Sequence, residues 1–290
     1  GRRFESASRY HFNIMKKSKK KLTQILLKLS KKFFHKKIYG YILYIRSLKK
    51  FRKEINKSKS FVQYSENLDE INKYEYKITS QNNEDGIIEY IFSKIPNNKY
   101  FVEIGFDLYE FNSLNLIKKG WNGKLIEQNL EECLALDVLL KKFFPLRSIE
   151  LVNKSITLEN INLIFSQNEE KKEIDFFSID IDGNDYWILK DLDINNVKVI
   201  CCEYNHFLNK NEKKTVPYNK NFNFENESFF GASLLAFNDL LLSKNFKLIA
   251  VDSSGVNAFF VNKKYEKMFS VLSPIDSHRS VGRFYSRDRY

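Results

Sequence analysis

The sequence predicts a doubly wound α/β fold: a mostly parallel, seven-stranded Rossmann-like sheet with a C-terminal antiparallel hairpin, preceded by a basic helical N-terminal extension. Three observations predict it. From position 84 onward, short runs that are apolar on nearly every residue alternate with segments of helical periodicity, the pattern of a parallel sheet covered on both faces. The last two apolar runs are separated only by an Asp-Ser-Ser-Gly turn at 252–255, a spacing that makes a hairpin. With 290 residues, of which 43% are apolar and 29% charged, the chain is long enough to bury one core of ordinary size.

Each element follows from local pattern. Leu22, Ile25, Leu26, Leu29 and Phe33 form one helical stripe, with Lys20, Lys21, Lys28, Lys31, Lys32 and Lys36 mostly off it, so a basic amphipathic helix is expected from residue 19. Gly40 is read as an interruption before a second helix at 41–55. A polar linker follows, and then a helix at 84–92. The strands are placed at 100–105, 124–127, 148–152, 174–181, 197–204, 246–251 and 257–261. Helices fall between most of them, at 111–119, 130–143, 158–165, 185–192 and 232–242. The domain boundaries are set at 1–60 for the extension, 61–80 for the linker, 81–265 for the α/β domain and 266–290 for a C-terminal extension.

The net charge of +12 is distributed unevenly. Residues 1–60 carry 20 Lys and Arg against only Glu5 and Glu54, while the remaining residues hold 28 basic against 34 acidic side chains. The α/β domain therefore has no basic excess with which to track a phosphate backbone, and no nucleic-acid partner is expected. A basic amphipathic segment suits an anionic membrane surface through residues 19–55; the alternative is a pair of helices packed on the domain with a solvated lysine face. No apolar run approaches the ~18 to 20 residues of a spanning helix. Cys133, Cys201 and Cys202 are odd in number and lack metal-site spacing, and no secretory signal is visible. A cytoplasmic protein is expected, peripheral on the inner face of a membrane.

In a doubly wound sheet, ligands bind beyond the carboxyl ends of the strands near the switch point. The residues there are acidic: Glu103, Gly105 and Asp107 after the first strand, Glu127 and Gln128 after the second, Asp180, Asp182 and Asp185 after the fourth, and Glu203, Asn205 and His206 after the fifth. Glu127 lies 22 residues beyond Gly105, near the ~20-residue offset at which a carboxylate accepts ribose hydroxyls. No G-x-G-x-x-G is present, which disfavours a dinucleotide.

The blocks Asn83-Glu-Asp-Gly-Ile-Ile-Glu-Tyr-Ile-Phe92, Phe101-Val-Glu-Ile-Gly105, Gly120-Trp-Asn-Gly-Lys-Leu-Ile-Glu127, Ser178-Ile-Asp-Ile-Asp-Gly-Asn-Asp-Tyr-Trp187, Glu203-Tyr-Asn205, Phe230-Gly-Ala-Ser233 and Asp252-Ser-Ser-Gly-Val-Asn-Ala-Phe-Phe260 occur in order across residues 80–265. Together they resemble the FkbM family of S-adenosylmethionine-dependent methyltransferases, and the layout is that of the class I methyltransferase fold. The resemblance implies S-adenosylmethionine as cofactor and O-methylation of a hydroxyl on a sugar, glycan or related small molecule. The expected cofactor residues are Glu103, Gly105, Asp107, Glu127, Gln128, Ser155, Ile156 and Asp180. The segment after Gly105 departs from the family: it is about two residues shorter, and Leu108 stands where a glycine is usual.

Methyl transfer to a hydroxyl needs the reactants in line and a group to take the proton. Asp182 is expected to serve there, directly or with Glu203 and Asn205 as ligands of Mg²⁺ or Mn²⁺; His206 is the alternative base. For Asp182 and Asp185 the plain alternative is a helix N-cap. The aromatic-rich segment 207–229 is expected to pack beside the site. Two other functions compete: a degenerate, membrane-attached binding domain, and a nucleic-acid methyltransferase, against which stands the absence of an Asn-Pro-Pro-Tyr or Pro-Cys loop.

Overall fold

The structure is a computed structural model that describes residues 24, 36–61, 68–166, 173–222 and 229–279. Its helices are α1 (Lys36–Ile55), α2 (Glu84–Lys94), α3 (Leu114–Lys118), α4 (Leu130–Phe143), α5 (Ile161–Ser166), α6 (Asp185–Asp191), α7 (Leu234–Ser243) and α8 (Pro274–Ser277). A two-stranded ribbon, β1 (Ser60–Phe61) and β2 (Tyr76–Lys77), precedes the main sheet of β3 (Tyr100–Ile104), β4 (Asn122–Glu127), β5 (Ile149–Asn153), β6 (Ile174–Ile179), β7 (Val197–Glu203), β8 (Phe246–Val251) and β9 (Asn257–Asn262). The sheet order is β5-β4-β3-β6-β7-β9-β8. All pairings are parallel except those of β9, which runs antiparallel to both β7 and β8. This is the predicted class I methyltransferase layout, with all seven expected strands in place.

Side-chain alternation along each strand divides the core between the two faces of the sheet. Phe101, Phe176, Val199 and Cys201 pack under α1, α2 and α4, together with Phe51, Ile87, Ile91 and Leu136. Val102, Ile104, Phe177, Ile179, Ile200 and Cys202 face the other way, against Ile188 of α6 and Phe237 of α7. Cys201 and Cys202 are thus on opposite faces, buried and unpaired as expected. Burial pushes both thiols well above their ordinary range.

The N-terminal expectations need correction. The helix from residue 19 lies outside the described residues except at Gln24. Gly40 does not interrupt: α1 runs through it, an interior glycine costing only about 1 kcal/mol. Nor does α1 stand apart from the domain. Phe51 is fully buried, its ring 5.8 Å from that of Phe143 in α4, and Leu43, Tyr44, Leu48 and Ile55 join the same core. The stretch 68–80, expected to be a linker, is packed too, with Ile71, Asn72, Glu75, Tyr76 and Ile78 all buried. The chain beyond 266 is tied back through Arg279, whose guanidinium meets the Asp69 carboxylate at 2.9 Å and whose backbone exchanges hydrogen bonds with the Tyr204 hydroxyl. No described helix is long and apolar enough to cross a membrane.

Candidate active site

The sheet's switch point lies between β3 and β6, where consecutive connections leave in opposite directions. A cavity of ≈ 460 Å³ opens there. Its walls hold Glu103, Gly105, Asp107, Glu127, Gln128, Ser155, Ile156, Asp180 and Asp182, all predicted from the sequence. Seven carboxylate side chains line it (Glu103, Asp107, Glu110, Glu127, Glu132, Asp180 and Asp182) against two lysines, Lys154 and Lys220. A pyrophosphate would be repelled by such walls, and a cationic ligand attracted.

The carboxylates divide by what they already hold. Glu103 is spent on structure: its oxygens accept from Asn112 N and Ser113 N, each at 2.9 Å, and from the Ser113 hydroxyl. Burial pushes its pKa up to about 7 even so. It anchors the segment that forms the cavity's outer wall. Glu127 ends β4 with one oxygen accepting from Asn129 N at 2.8 Å and the other at 3.5 Å from Phe106 N, which leaves lone pairs on both for a ligand hydroxyl. Gly105 sits at φ +77°, and a Cβ there would lie 1.6 Å from the Asp180 carbonyl oxygen. The close approach that demands glycine is thus between the ends of β3 and β6.

The departure after Gly105 has a structural answer. Leu108 is turned into the core, 3% exposed, and does not line the cavity. Beside it the Tyr109 hydroxyl lies 2.7 Å from Ser47 Oγ of α1, and Lys50 Nζ sits 3.5 Å from the centre of the Tyr109 ring. A glycine-rich loop would hug its ligand through backbone alone, whereas this one is propped from behind by a helix.

Asp180, Asp182 and Glu203 bring carboxylate oxygens within 4.8 Å of one another. Asp182 adopts a left-handed φ of +59°, a strained conformation for a side-chain-bearing residue. Burial, and then the Asp185, Asp182 and Glu103 charges, push Asp180 up to about 8. Burial and then the Asp180 charge raise Glu203 well above its ordinary range, and burial raises Asp182. Two expected members are engaged elsewhere. The Asn205 amide donates to Phe230 O at 3.0 Å and accepts from Phe207 N at 3.0 Å, while Asp180 joins Asp182 and Glu203 in the carboxylate cluster. His206 is buried beside the Phe207 ring, centroids 4.2 Å apart, away from the cavity walls. Burial and then His278 lower it to about 4. Asp185 is a structural group, accepting from Ile181 N at 2.9 Å and Gly183 N at 3.0 Å.

Sequence reasoning missed Glu132, Lys154, Lys220 and Asn112. Glu132 was legible in principle, as an acid in the first turn of the helix that follows Glu127; burial, Asp107 and Glu127 push it up to about 7. Lys220 comes from the long connection, which is pinned over the site. Asn184 Nδ2 donates to Asn219 O at 2.8 Å, and Trp187 Nε1 donates to Val216 O at 2.8 Å. The Phe222 ring lies on Gly183, leaving no room for a Cβ.

Residues 141–248, from the end of α4 to the start of β8, match the family model described as the methyltransferase FkbM domain. That stretch, a little over a third of the chain, is similar to the FkbM methyltransferase family. The matched stretch includes Asp180, Asp182 and Glu203; Gly105 and Glu127 lie outside it and rest on motif and geometry. No curated protein matches the sequence. Among solved structures, the chain is similar to the N-terminal domain of EvdMO1 with SAH bound, at 12% identity and TM-score 0.43, covering 74% of this chain and 94% of that one. It is also similar to an S-adenosylmethionine-dependent methyltransferase from Clostridium acetobutylicum, at 11% identity and TM-score 0.40, over 62% and 90% of the two chains. A third likeness is to M. capricolum TrmK in complex with SAH, at 15% identity and TM-score 0.35. It covers 60% of this chain and 65% of TrmK, under two thirds of that protein's length.

Proposed function

We propose that the chain is a methyltransferase of the FkbM type, which binds S-adenosylmethionine in the switch-point cavity and directs O-methylation of a hydroxyl on a sugar, glycan or related small molecule. The observation that carries this reading is the acidic cavity itself. Glu127, which we read as the acceptor of the ribose hydroxyls, lines it beside the Gly105 turn, and the Asp180, Asp182 and Glu203 cluster stands at the neighbouring strand ends. S-adenosylmethionine bears a sulfonium and an ammonium against one carboxylate, and seven acidic side chains complement that balance. When bound, it supplies a methyl group on a positively charged sulfur, open to attack by an oxygen nucleophile.

The chain's own residues then have separable tasks. Glu127 accepts ribose hydroxyls, while Gln128, Ser155 and Ile156 border the neighbouring β4 and β5 ends where the base is expected. Glu103 keeps the outer wall in place through Asn112 and Ser113. Asp180 and Glu203 bring their oxygens within 4.8 Å of each other, and with Asp182 they form the group able to take the acceptor's proton. The same three carboxylates have the all-oxygen chemistry that holds Mg²⁺ or Mn²⁺, and such an ion would supply charge that lowers a hydroxyl's pKa. The basic N-terminal segment supports peripheral attachment to an anionic membrane, which we place in the same proposal.

Calorimetric titration with S-adenosylmethionine tests the reading. Binding is expected, and Glu127→Ala should weaken it by ~2 to 4 kcal/mol through loss of charge-assisted hydrogen bonds. Absence of binding by the unaltered chain would leave a degenerate binding domain as the better reading.

A further inference from the structure

We propose that the outer face of α1 is the surface that docks on an anionic phospholipid bilayer. The proposal deepens the membrane part of the reading above and rests on it. At 3.6 residues per turn, Tyr41, Ile45, Arg46, Lys49, Arg52 and Lys53 fall within an arc of about 140°, opposite Ser47, Phe51 and Glu54, which are buried against the domain. The apolar stripe of α1 is thus already used, and what it offers solvent is a basic face.

That face has three properties that match a bilayer. Arg46, Lys49, Arg52 and Lys53 are all exposed, and none is ion-paired among the described residues. A shallow concavity at the helix's C-terminal end is lined by Lys49, Arg52, Lys53, Asn56, Lys57 and Ser58 with Ser60, without a carboxylate. Basic and hydroxyl donors around an open depression are the chemistry that receives a phosphate. Finally, Tyr41 and Ile45 are 57% and 55% exposed one turn apart on the same arc. A nucleic-acid backbone has no use for an exposed isoleucine, whereas a headgroup layer over acyl chains accommodates both it and the tyrosine ring. Only one class of partner combines regularly spaced phosphates with apolar depth.

Docking by this face is compatible with the fold as it stands, because no core side chain must be released. The domain adsorbs as a rigid body through arginine and lysine side chains, and the tail preceding α1 adds its own charge.

Full-length chain is mixed with vesicles of phosphatidylcholine alone or with phosphatidylglycerol and sedimented. A variant carrying Arg46→Glu, Lys49→Glu, Arg52→Glu and Lys53→Glu leaves every buried α1 side chain untouched, and unchanged circular dichroism and cofactor binding verify its fold. Each basic residue near such a surface is worth about fivefold in partitioning, so the variant should bind anionic vesicles several hundredfold more weakly at low salt. Ile45→Ser should lower binding severalfold and make the remainder more salt-sensitive. A companion with Lys20, Lys21, Lys28, Lys31 and Lys32 replaced by Gln separates the two claims. If that companion loses vesicle binding and the α1 variant keeps it, the α1 face is refuted while membrane attachment through the tail stands. If the unaltered chain ignores anionic vesicles, both fail together. Vesicle binding abolished by millimolar inorganic phosphate at matched ionic strength would reassign the depression to a free anion. Duplex DNA binding lost in the α1 variant, without vesicle binding, would reassign it to nucleic acid.

Discussion

Gly105→Ala is the sharpest test of how the cavity is built. The new Cβ would stand 1.6 Å from the Asp180 carbonyl oxygen and 2.7 Å from its carbon. Contacts under 3.0 Å are essentially never observed for Cβ atoms, so the end of β6 must retreat by about 1.4 Å or β3 must bend, a change of the overpacking class costing ~1 to 3 kcal/mol. The positive φ adds roughly 1 kcal/mol for any residue with a side chain. Gly231→Ala supplies the internal standard. Its φ is +49°, and a Cβ there meets nothing within 4 Å, so it carries the dihedral cost alone. Urea unfolding of both variants should show Gly105→Ala less stable than Gly231→Ala by about 1 to 3 kcal/mol, a melting-point gap of roughly 2 to 5 °C at this chain length. The shift falls on the backbone that carries Asp180 and Asp182, so cofactor affinity or turnover should drop with it. Equal stability of the two variants would refute the close approach of β3 and β6.

On the proposed reading, the acidic cluster makes methyl transfer pH-dependent. With Asp180 pushed up to about 8, its basic form accumulates above that pH, so metal-free turnover should rise through about 8 and the rise should vanish in Asp180→Asn. The sign for stability is opposite. A carboxyl whose folded pKa lies above its unfolded value of 3.8 contributes stability that is complete below about 4 and is lost as pH rises through about 8. Thermal midpoints should therefore fall as pH rises from about 4 to about 8, and Asp180→Asn should flatten the fall. Turnover that survives EDTA, Asp182→Asn and Asp180→Asn would remove the three-carboxylate cluster from the chemistry. His206→Gln should leave turnover within a fewfold of the parent, and a hundredfold loss would return His206 to the site.

The fold was legible because buried parallel strands announce themselves: 174–181 and 197–204 are apolar on nearly every residue, and the Asp-Ser-Ser-Gly turn fixed the hairpin. The cavity's floor was legible for the same reason, since strand ends follow from strands. Three things were not. Asn205 and His206 are adjacent in sequence to a cluster member, yet β7 ends at Glu203 and the backbone then turns away. No spacing rule reports the direction of that turn. The destination of the α1 stripe was ambiguous because an apolar face looks the same whether lipid or α4 covers it. Lys220 and Phe222 reach the site only because Asn184 and Trp187 pin a distant connection there, a contact without local periodicity.

Tyr109 joins segments that translation produces far apart. Its hydroxyl meets Ser47, 62 positions earlier, and α1 finds its main packing surface on α4, which ends at Phe143. At ~5 to 20 residues per second, the stripe around Phe51 waits on the order of several seconds after synthesis before its cover exists. Until then the nascent helix is amphipathic on both counts, with Phe51 uncovered on one side and lysines on the other. Amide exchange in 106–111 should report the docking of α1 more directly than it reports the sheet beneath.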